Sequence, residues 1–337
     1  MNNKESKRLS IWRAIKYLIF LSLAFILLYL SFGEMDWKHF IDALKSCNYY
    51  WIAASMLLGV AGFVLRALRW QQLLKEINKD VTLRECYDGV NVGYLTNFVL
   101  PRAGEFSRCG VIANTKKVSF EGALGSVVLE RALDMACLIG WVVLLLVFKW
   151  NEFGGFISHQ LFEPLFGRFS STIIYIAIAL FIAAIAITII AWRNRERLLR
   201  IKLFNKIATI IEHLIEGILS ALKLKNKWLF LLYTLLIWLS YWLTSLTTIY
   251  ALPSVATLNA TDALFLMIVG GLGWIVPVQG GIGAYHFVIT LALTSLYAIP
   301  QKTAFIFATI SHESQAVIMI ICGLLSLISI SLNKRRS

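Results

Sequence analysis

Two runs of polar residues fall inside otherwise apolar stretches, and they are where chemistry would happen. The first is Asn97-Phe-Val-Leu-Pro101-Arg102-Ala-Gly104-Glu105-Phe-Ser-Arg108, followed by Glu130-Arg131-Ala-Leu-Asp134. In a helix Glu130 and Asp134 stand one turn apart on one face, and Arg131 also reaches Asp134. With a span beginning near Gly122, about eight residues at a ~1.5 Å rise carry Glu130 on the order of 12 Å into a membrane. An unpaired charge there costs at least ~3 kcal/mol, so these groups must be paired or face a wet cavity. One reading has Glu105, Arg108, Glu130, Arg131 and Asp134 neutralising one another and locking two segments together. The other gives Arg102 and Arg108, which follow a helix break, guanidinium forks suited to bidentate contact with a phosphate.

The second run is Pro277-Val-Gln279-Gly280-Gly281-Ile-Gly283-Ala-Tyr285-His286, with Ser311-His312-Glu313-Ser-Gln315 further on. A helix starting near Ala284 would expose amides without intrahelical partners at the positive end of its dipole, where a phosphate oxygen could be held. His312 and Glu313 place a proton acceptor near mid-membrane depth; the plainer reading of His286 and His312 is a hydrogen bond to a neighbouring helix. Arg66 and Arg69 precede Trp70 and read as side chains snorkelling to an interface. There is no nucleophile–base pair, phosphate-binding loop of the ATPase type or metal-ligand spacing, and the five histidines are dispersed. No catalytic residue, metal or cofactor is expected.

The elements that must position these residues are membrane helices. Of 337 residues 58% are hydrophobic and 15% charged, and the mean hydropathy is +0.72, too apolar for an average water-soluble chain. Several blocks reach the ~20 residues that cross a ~30 Å hydrocarbon core. The net charge of +13 lies almost wholly in the gaps between them, which fits membrane topology and not nucleic acid. Cys47, Cys86, Cys109, Cys137 and Cys322 are odd in number and unpaired in spacing, so no disulfide framework is inferred.

The expected fold is all-α, a polytopic bundle in one integral membrane domain over residues 1–337. Its full spans are Ile15–Phe32, Tyr50–Trp70, Gly122–Phe148, Thr172–Trp192, Trp228–Ala251 and Thr303–Leu332. Starting from a cytoplasmic N-terminus, alternation puts Lys116, Lys117, the Arg193–Arg200 run and the Lys334–Arg336 tail on the cytoplasmic side, so both termini lie there. Residues 193–227 carry an amphipathic pattern suited either to the cytoplasmic membrane surface or to a solvated linker helix packing on the cytoplasmic loops. Cys86–Leu100, ending at Pro101, and Asp262–Tyr297, split by glycines and Pro277, read as broken or re-entrant helices. Interruptions entering from opposite sides in the two halves suggest an inverted repeat around a transport site. For the second stretch the alternative is that its glycines only let helices approach closely.

The order R-x-x-R-W at Arg66, Arg69 and Trp70, N-x-x-x-P-R-x-G-E-x-x-R from Asn97 to Arg108, E-R-x-x-D from Glu130 to Asp134 and P-x-Q-G-G-x-G from Pro277 to Gly283 resembles the lysylphosphatidylglycerol synthase transmembrane family, also called flippase-like membrane proteins. The likeness covers nearly the whole chain. It implies translocation of a lipid or lipid-linked headgroup between leaflets of the cytoplasmic membrane. Bifunctional relatives add a soluble aminoacyl-transfer domain; this sequence stops after Arg336 and Ser337, so lipid aminoacylation is not carried over. It departs from the pattern at His286, where members usually have an acid, and near His312, where they often have an arginine.

The expected activity is thus a flippase- or scramblase-like movement of an anionic phospholipid or lipid-linked phosphate. Two other readings stay open: an enzyme acting on a polyprenyl-linked or phospholipid substrate with Glu105, Glu130 or Asp134 as base, and a non-catalytic partner of a lipid or glycan biosynthetic enzyme. The expected partner is a membrane lipid with a phosphate headgroup, with a second copy or a biosynthetic enzyme left open.

Overall fold

The computed structural model describes residues 37–156 and 224–334, and among these every regular element is helical. The helices are α1 (Trp37–Ser46), α2 (Tyr49–Ile77), α3 (Leu83–Val99), α4 (Gly104–Ala113), α5 (Phe120–Phe156), α6 (Lys227–Ala251), α7 (Ala260–Ile275), α8 (Ala284–Tyr297) and α9 (Gln301–Lys334). Short 3₁₀ turns lie at Pro253–Val255 and Gln279–Gly281. Four expected spans coincide with α2, α5, α6 and α9; α6 matches to one residue, and α2 and α5 run on well past the expected Trp70 and Phe148, to Ile77 and Phe156. Ile15–Phe32, Thr172–Trp192 and the amphipathic segment up to residue 223 lie outside the described residues. Among the described residues five segments are long and apolar enough to cross a membrane: Tyr49–Ile77, Phe120–Trp150, Lys227–Ala251, Gln279–Tyr297 and Gln301–Leu332. The protein is a multi-pass membrane protein.

Local sequence explains where the helices begin and break. Asn48 and Asn226 cap α2 and α6 by accepting from the Tyr50 and Leu229 amides. In α5 the helical geometry fails at Lys149 (φ −138°, ψ 35°), beside Trp150 and at the end of the apolar run. α2 packs chiefly on α6, where Gly62 faces Ser240 and the Ser55 hydroxyl meets that of Thr248 at 3.1 Å. Large apolar side chains such as Val147, Phe148, Leu325 and Ile328 remain on the outside, as a lipid-facing surface requires.

The two interrupted stretches fold as helical hairpins, each closed at its base by the acid of a capping box. In the first, Thr82 caps α3 and Glu85 returns a bond to the Thr82 amide at 2.8 Å. Lys117, which follows α4, reaches the same carboxylate at 2.8 and 3.0 Å, so the chain enters and leaves at one end. In the second, Asn259 caps α7 and Asp262 bonds the Asn259 amide at 2.8 Å, while Tyr297 at the end of α8 donates to Asp262 Oδ1 at 2.9 Å. At ~1.5 Å per residue the arms α4 and α7 are roughly 15 and 24 Å long, short of a bilayer core.

Each hairpin turns on residues in left-handed geometry. Arg102 has φ 62° in the first, and Gly280, Gly281 and Gly283 have φ 56°, 76° and 82° in the second. Glycine meets that demand without a Cβ penalty, whereas Arg102 carries a strain of roughly 1–2 kcal/mol. The arms of the first hairpin cross where Gly93 and Gly104 bring backbone against backbone.

Candidate functional site

Arg66, Arg69 and Trp70 occupy positions i, i+3 and i+4, so one face of α2 presents two guanidiniums and an indole. Their carboxylate partners are on α5. Arg66 Nη2 is 2.9 Å from Asp134 Oδ2, and its Nε donates to the Tyr241 hydroxyl of α6 at 2.7 Å. Arg69, fully buried, lies 2.8 Å from Asp134 Oδ1 and 3.4 Å from Glu130 Oε1, with Thr234 Oγ1 at 3.4 Å. The snorkelling expected of Arg66 and Arg69 is therefore overturned: both are buried structural partners of the acids. A membrane interior makes that arrangement necessary, since each acid would be costly alone.

Arg108 of α4 completes the cluster. Its guanidinium pairs with Glu130 Oε2 and stacks over the Trp70 ring, 4.5 Å from the centroid. Trp70 in turn donates its indole N–H to Ser126 at 2.9 Å. Helix α4 is thereby fastened to α2 and α5 through one side chain. The expectation that Arg108 is a phosphate ligand meets this geometry poorly, because burial and pairing already commit it.

Arg131 differs from the other arginines. Its side chain is 41% exposed and its nearest acid contact is a loose 3.9 Å to Asp134; a buried Nε without a hydrogen bond is a feature it shares with Arg69 and Arg108. Among the described residues Arg66, Arg69, Arg108 and Arg131 form ion pairs with Glu130 and Asp134 alone, so four cations against two anions leave two positive charges over. Arg102 is exposed at the first hairpin's turn. Glu105 is half-buried with Oε2 unbonded, and Asn97 accepts from the Gly104 amide at 2.8 Å, supplying α4 with the cap that Ala103 lacks.

The second hairpin's turn packs on the tip of the first. A Cβ on Gly280 would run into the Phe98 ring, and one on Gly281 would meet Trp274 at 3.0 Å. Gln279, Gly280 and Gly281 are buried, Gly283 less so. The Gly281 amide is spent on Val278 at 3.4 Å. Close packing is thus a direct duty of Gly280 and Gly281, and α8 starts at Ala284 with no side-chain cap, as the glycine loop implied.

His286, His312 and Glu313 converge beneath this turn. His312 Nε2 lies 2.8 Å from the Gly280 carbonyl and Nδ1 3.0 Å from Glu313 Oε1. His286 Nε2 is 3.9 Å from the same oxygen. The Trp274 indole stacks on the His312 ring at 4.9 Å and 19°. Tyr285 bonds Ser311 at 2.9 Å, and the Gln315 amide reaches Ser55 Oγ of α2 at 3.1 Å. The histidines dispersed in sequence are therefore neighbours in space.

A family model described as the lysylphosphatidylglycerol synthase TM region matches residues 14–323. Two curated proteins are similar at low identity. The "Glycosyltransferase AglD" of Haloferax volcanii is 22% identical over 93% of this chain and 53% of its own length. The "UPF0104 membrane protein" of Methanothermobacter thermautotrophicus is 24% identical over 48% of this chain and 46% of its own. The chain thus spans about half the length of the curated relatives it matches. No solved structure matches it.

Proposed function

The chain belongs to the lysylphosphatidylglycerol synthase TM region family, and on that premise we propose that it moves an anionic phospholipid or lipid-linked phosphate headgroup across the cytoplasmic membrane. The observation that carries this reading is the charge imbalance around Glu130 and Asp134, with Arg131 loosely held and part-exposed beside the surplus. A phosphate is the anion that a half-paired guanidinium in a dry setting would recruit. Arg131 and Arg102 take the headgroup; Arg66, Arg69 and Arg108 hold the acids and set the field. Glu105, which among the described residues forms no ion pair with an arginine, is the acid left to handle a proton or position an arginine.

The hairpin tips, meeting at Phe98 and Gly280, give the path its centre. With both termini cytoplasmic, as the basic gaps favour, the first hairpin opens inward and the second outward, forming an inverted pair. The lipid tails stay in the bilayer while the headgroup passes between the hairpins, the amides around Gly283 and Ala284 offering a second resting point.

Reconstitution in vesicles tests this. Arg131→Gln should slow movement of a labelled anionic phospholipid at least about tenfold, a loss of at least ~1.4 kcal/mol in transition-state stabilisation, without lowering the melting temperature. Unchanged movement removes the site.

A second reading is favoured by the relative named as a glycosyltransferase: an enzyme, or the membrane partner of one, acting on a polyprenyl-linked or phospholipid substrate. The geometry supports it less well. Both oxygens of Glu130 and of Asp134 are occupied by arginines, which leaves Glu105 as the base among the three acids. A chemically altered lipid after incubation supports this reading, and a relocated but unaltered one supports transport.

A further inference from the structure

We propose that His286, His312 and Glu313 bind a divalent first-row cation, zinc above all, through a ring nitrogen of His286, Nδ1 of His312 and Oε1 of Glu313. The argument begins at His312. Its Nε2 lies 2.8 Å from the Gly280 carbonyl oxygen, which can only accept, so Nε2 carries a proton. In the neutral ring Nδ1 then bears a lone pair, and that lone pair faces Glu313 Oε1 at 3.0 Å. Two acceptors at that distance repel unless a second proton or a metal cation stands between them.

His286 supplies the third donor. Its Nε2 is 3.9 Å from the same carboxylate oxygen, the two imidazole centroids are 5.0 Å apart, and one ligand atom from each of the three residues lies within 4.8 Å of the others. In a tetrahedral zinc site with bonds of ~2.0–2.1 Å, ligand atoms sit roughly 3.3 Å apart. The observed 3.0 and 3.9 Å straddle that value, and the widest spacing in the trio, at most 4.8 Å, has to contract on binding.

The surroundings are those of a metal site. A ligating histidine usually donates its other ring N–H to a carbonyl or carboxylate, which fixes tautomer and orientation; Gly280 does this for His312. Trp274 stacks on the same ring and holds its plane. Two imidazoles with one carboxylate suit zinc and its neighbours better than magnesium or calcium, which prefer oxygen. Both rings are buried while the Glu313 side chain is 43% exposed, so a fourth position opens on that side for water or an anionic oxygen. The three ligands come from α8 and α9 and no local spacing announces them.

Metal binding is independent of the transport reading and is tested without it. The full-length protein in detergent, its purification tag removed, is stripped with chelator and titrated with Co²⁺ alone. The expected result is a single site giving the visible absorption of low-coordinate Co²⁺, bleached by added Zn²⁺. His286→Gln and Glu313→Gln should each weaken binding at least about tenfold while gel filtration stays monodisperse. Should His286→Gln misfold, Glu313→Gln decides, because its side chain reaches the surface. Absence of the Co²⁺ spectrum, or equal binding by wild type and Glu313→Gln, overturns the site. So does nitrogen NMR showing both His312 ring nitrogens protonated with and without Zn²⁺, the signature of a plain imidazolium–carboxylate pair.

Discussion

Phe98, one residue before the end of α3, lies against Gly280 in the turn between α7 and α8, so the tips of two hairpins from opposite halves of the chain touch. Gly280 also has φ 56°, and its carbonyl holds His312. Gly280→Ala should therefore lower stability by about 1–3 kcal/mol from backbone strain alone, with a further loss from the collision with Phe98. Thermal unfolding in detergent measures it. Adding Phe98→Ala should restore the steric part only, leaving the double variant between wild type and Gly280→Ala.

The crossing of Gly93 and Gly104 makes a second prediction. A Cβ at position 104 would strike the Gly93 carbonyl and Asn97, and backbone does not yield as a flexible side chain does. Gly104→Ala should loosen α4 from α3 and expose Cys109, which is fully buried in the intact hairpin. Its maleimide labelling should rise severalfold. Gly110→Ala on the same helix meets nothing within 4 Å and should leave labelling unchanged, gaining about 0.5–1 kcal/mol from helix propensity.

These contacts show which parts of the structure could be read in advance. The hairpins were legible because Pro101 and the glycines from Gly270 to Gly283 break apolar runs that otherwise satisfy a spanning helix, and only a turn accounts for both. The acids of α5 were legible because charge at that depth must be answered. Their partners were missed, although the i, i+3, i+4 spacing of Arg66, Arg69 and Trp70 already places all three on one face. Position near a span's end favoured snorkelling, but α2 runs on to Ile77 and carries them inside. The meeting of His286 with His312 was invisible because it depends on how α8 packs on α9, which no pattern within either helix encodes.

The base of the first hairpin, outside the segments able to cross a membrane, should respond to acid. Burial pushes the Glu85 carboxyl up, but hydrogen bonds from Lys117 and the Thr82 amide outweigh it and hold the group below its ordinary value of 4.5. A carboxyl depressed in the folded state contributes stability above its unfolded value, and that contribution disappears as pH falls through the folded one. Wild type should therefore melt higher than Lys117→Gln around neutral pH, and the two should converge well below pH 4.5. Melting curves across that range test the assignment; a constant gap would place the effect of Lys117 in packing alone.

Glu130 and Arg131 are adjacent in sequence and should behave oppositely. Glu130 is 1% exposed and answers Arg69 with one oxygen and Arg108 with the other. Glu130→Ala leaves two buried guanidiniums short of an anion, and breaking a buried pair from one side costs about 3–5 kcal/mol. A drop of that size in resistance to detergent-induced unfolding is expected, with Arg108 released from its place over Trp70 and tryptophan fluorescence changed accordingly. Arg131→Gln removes a part-exposed cation held only at 3.9 Å, so its cost in stability should stay below about 1 kcal/mol. If the two substitutions destabilised equally, Arg131 would belong to the same locked network. The surplus charge that recruits a headgroup would then have to be sought at Arg102.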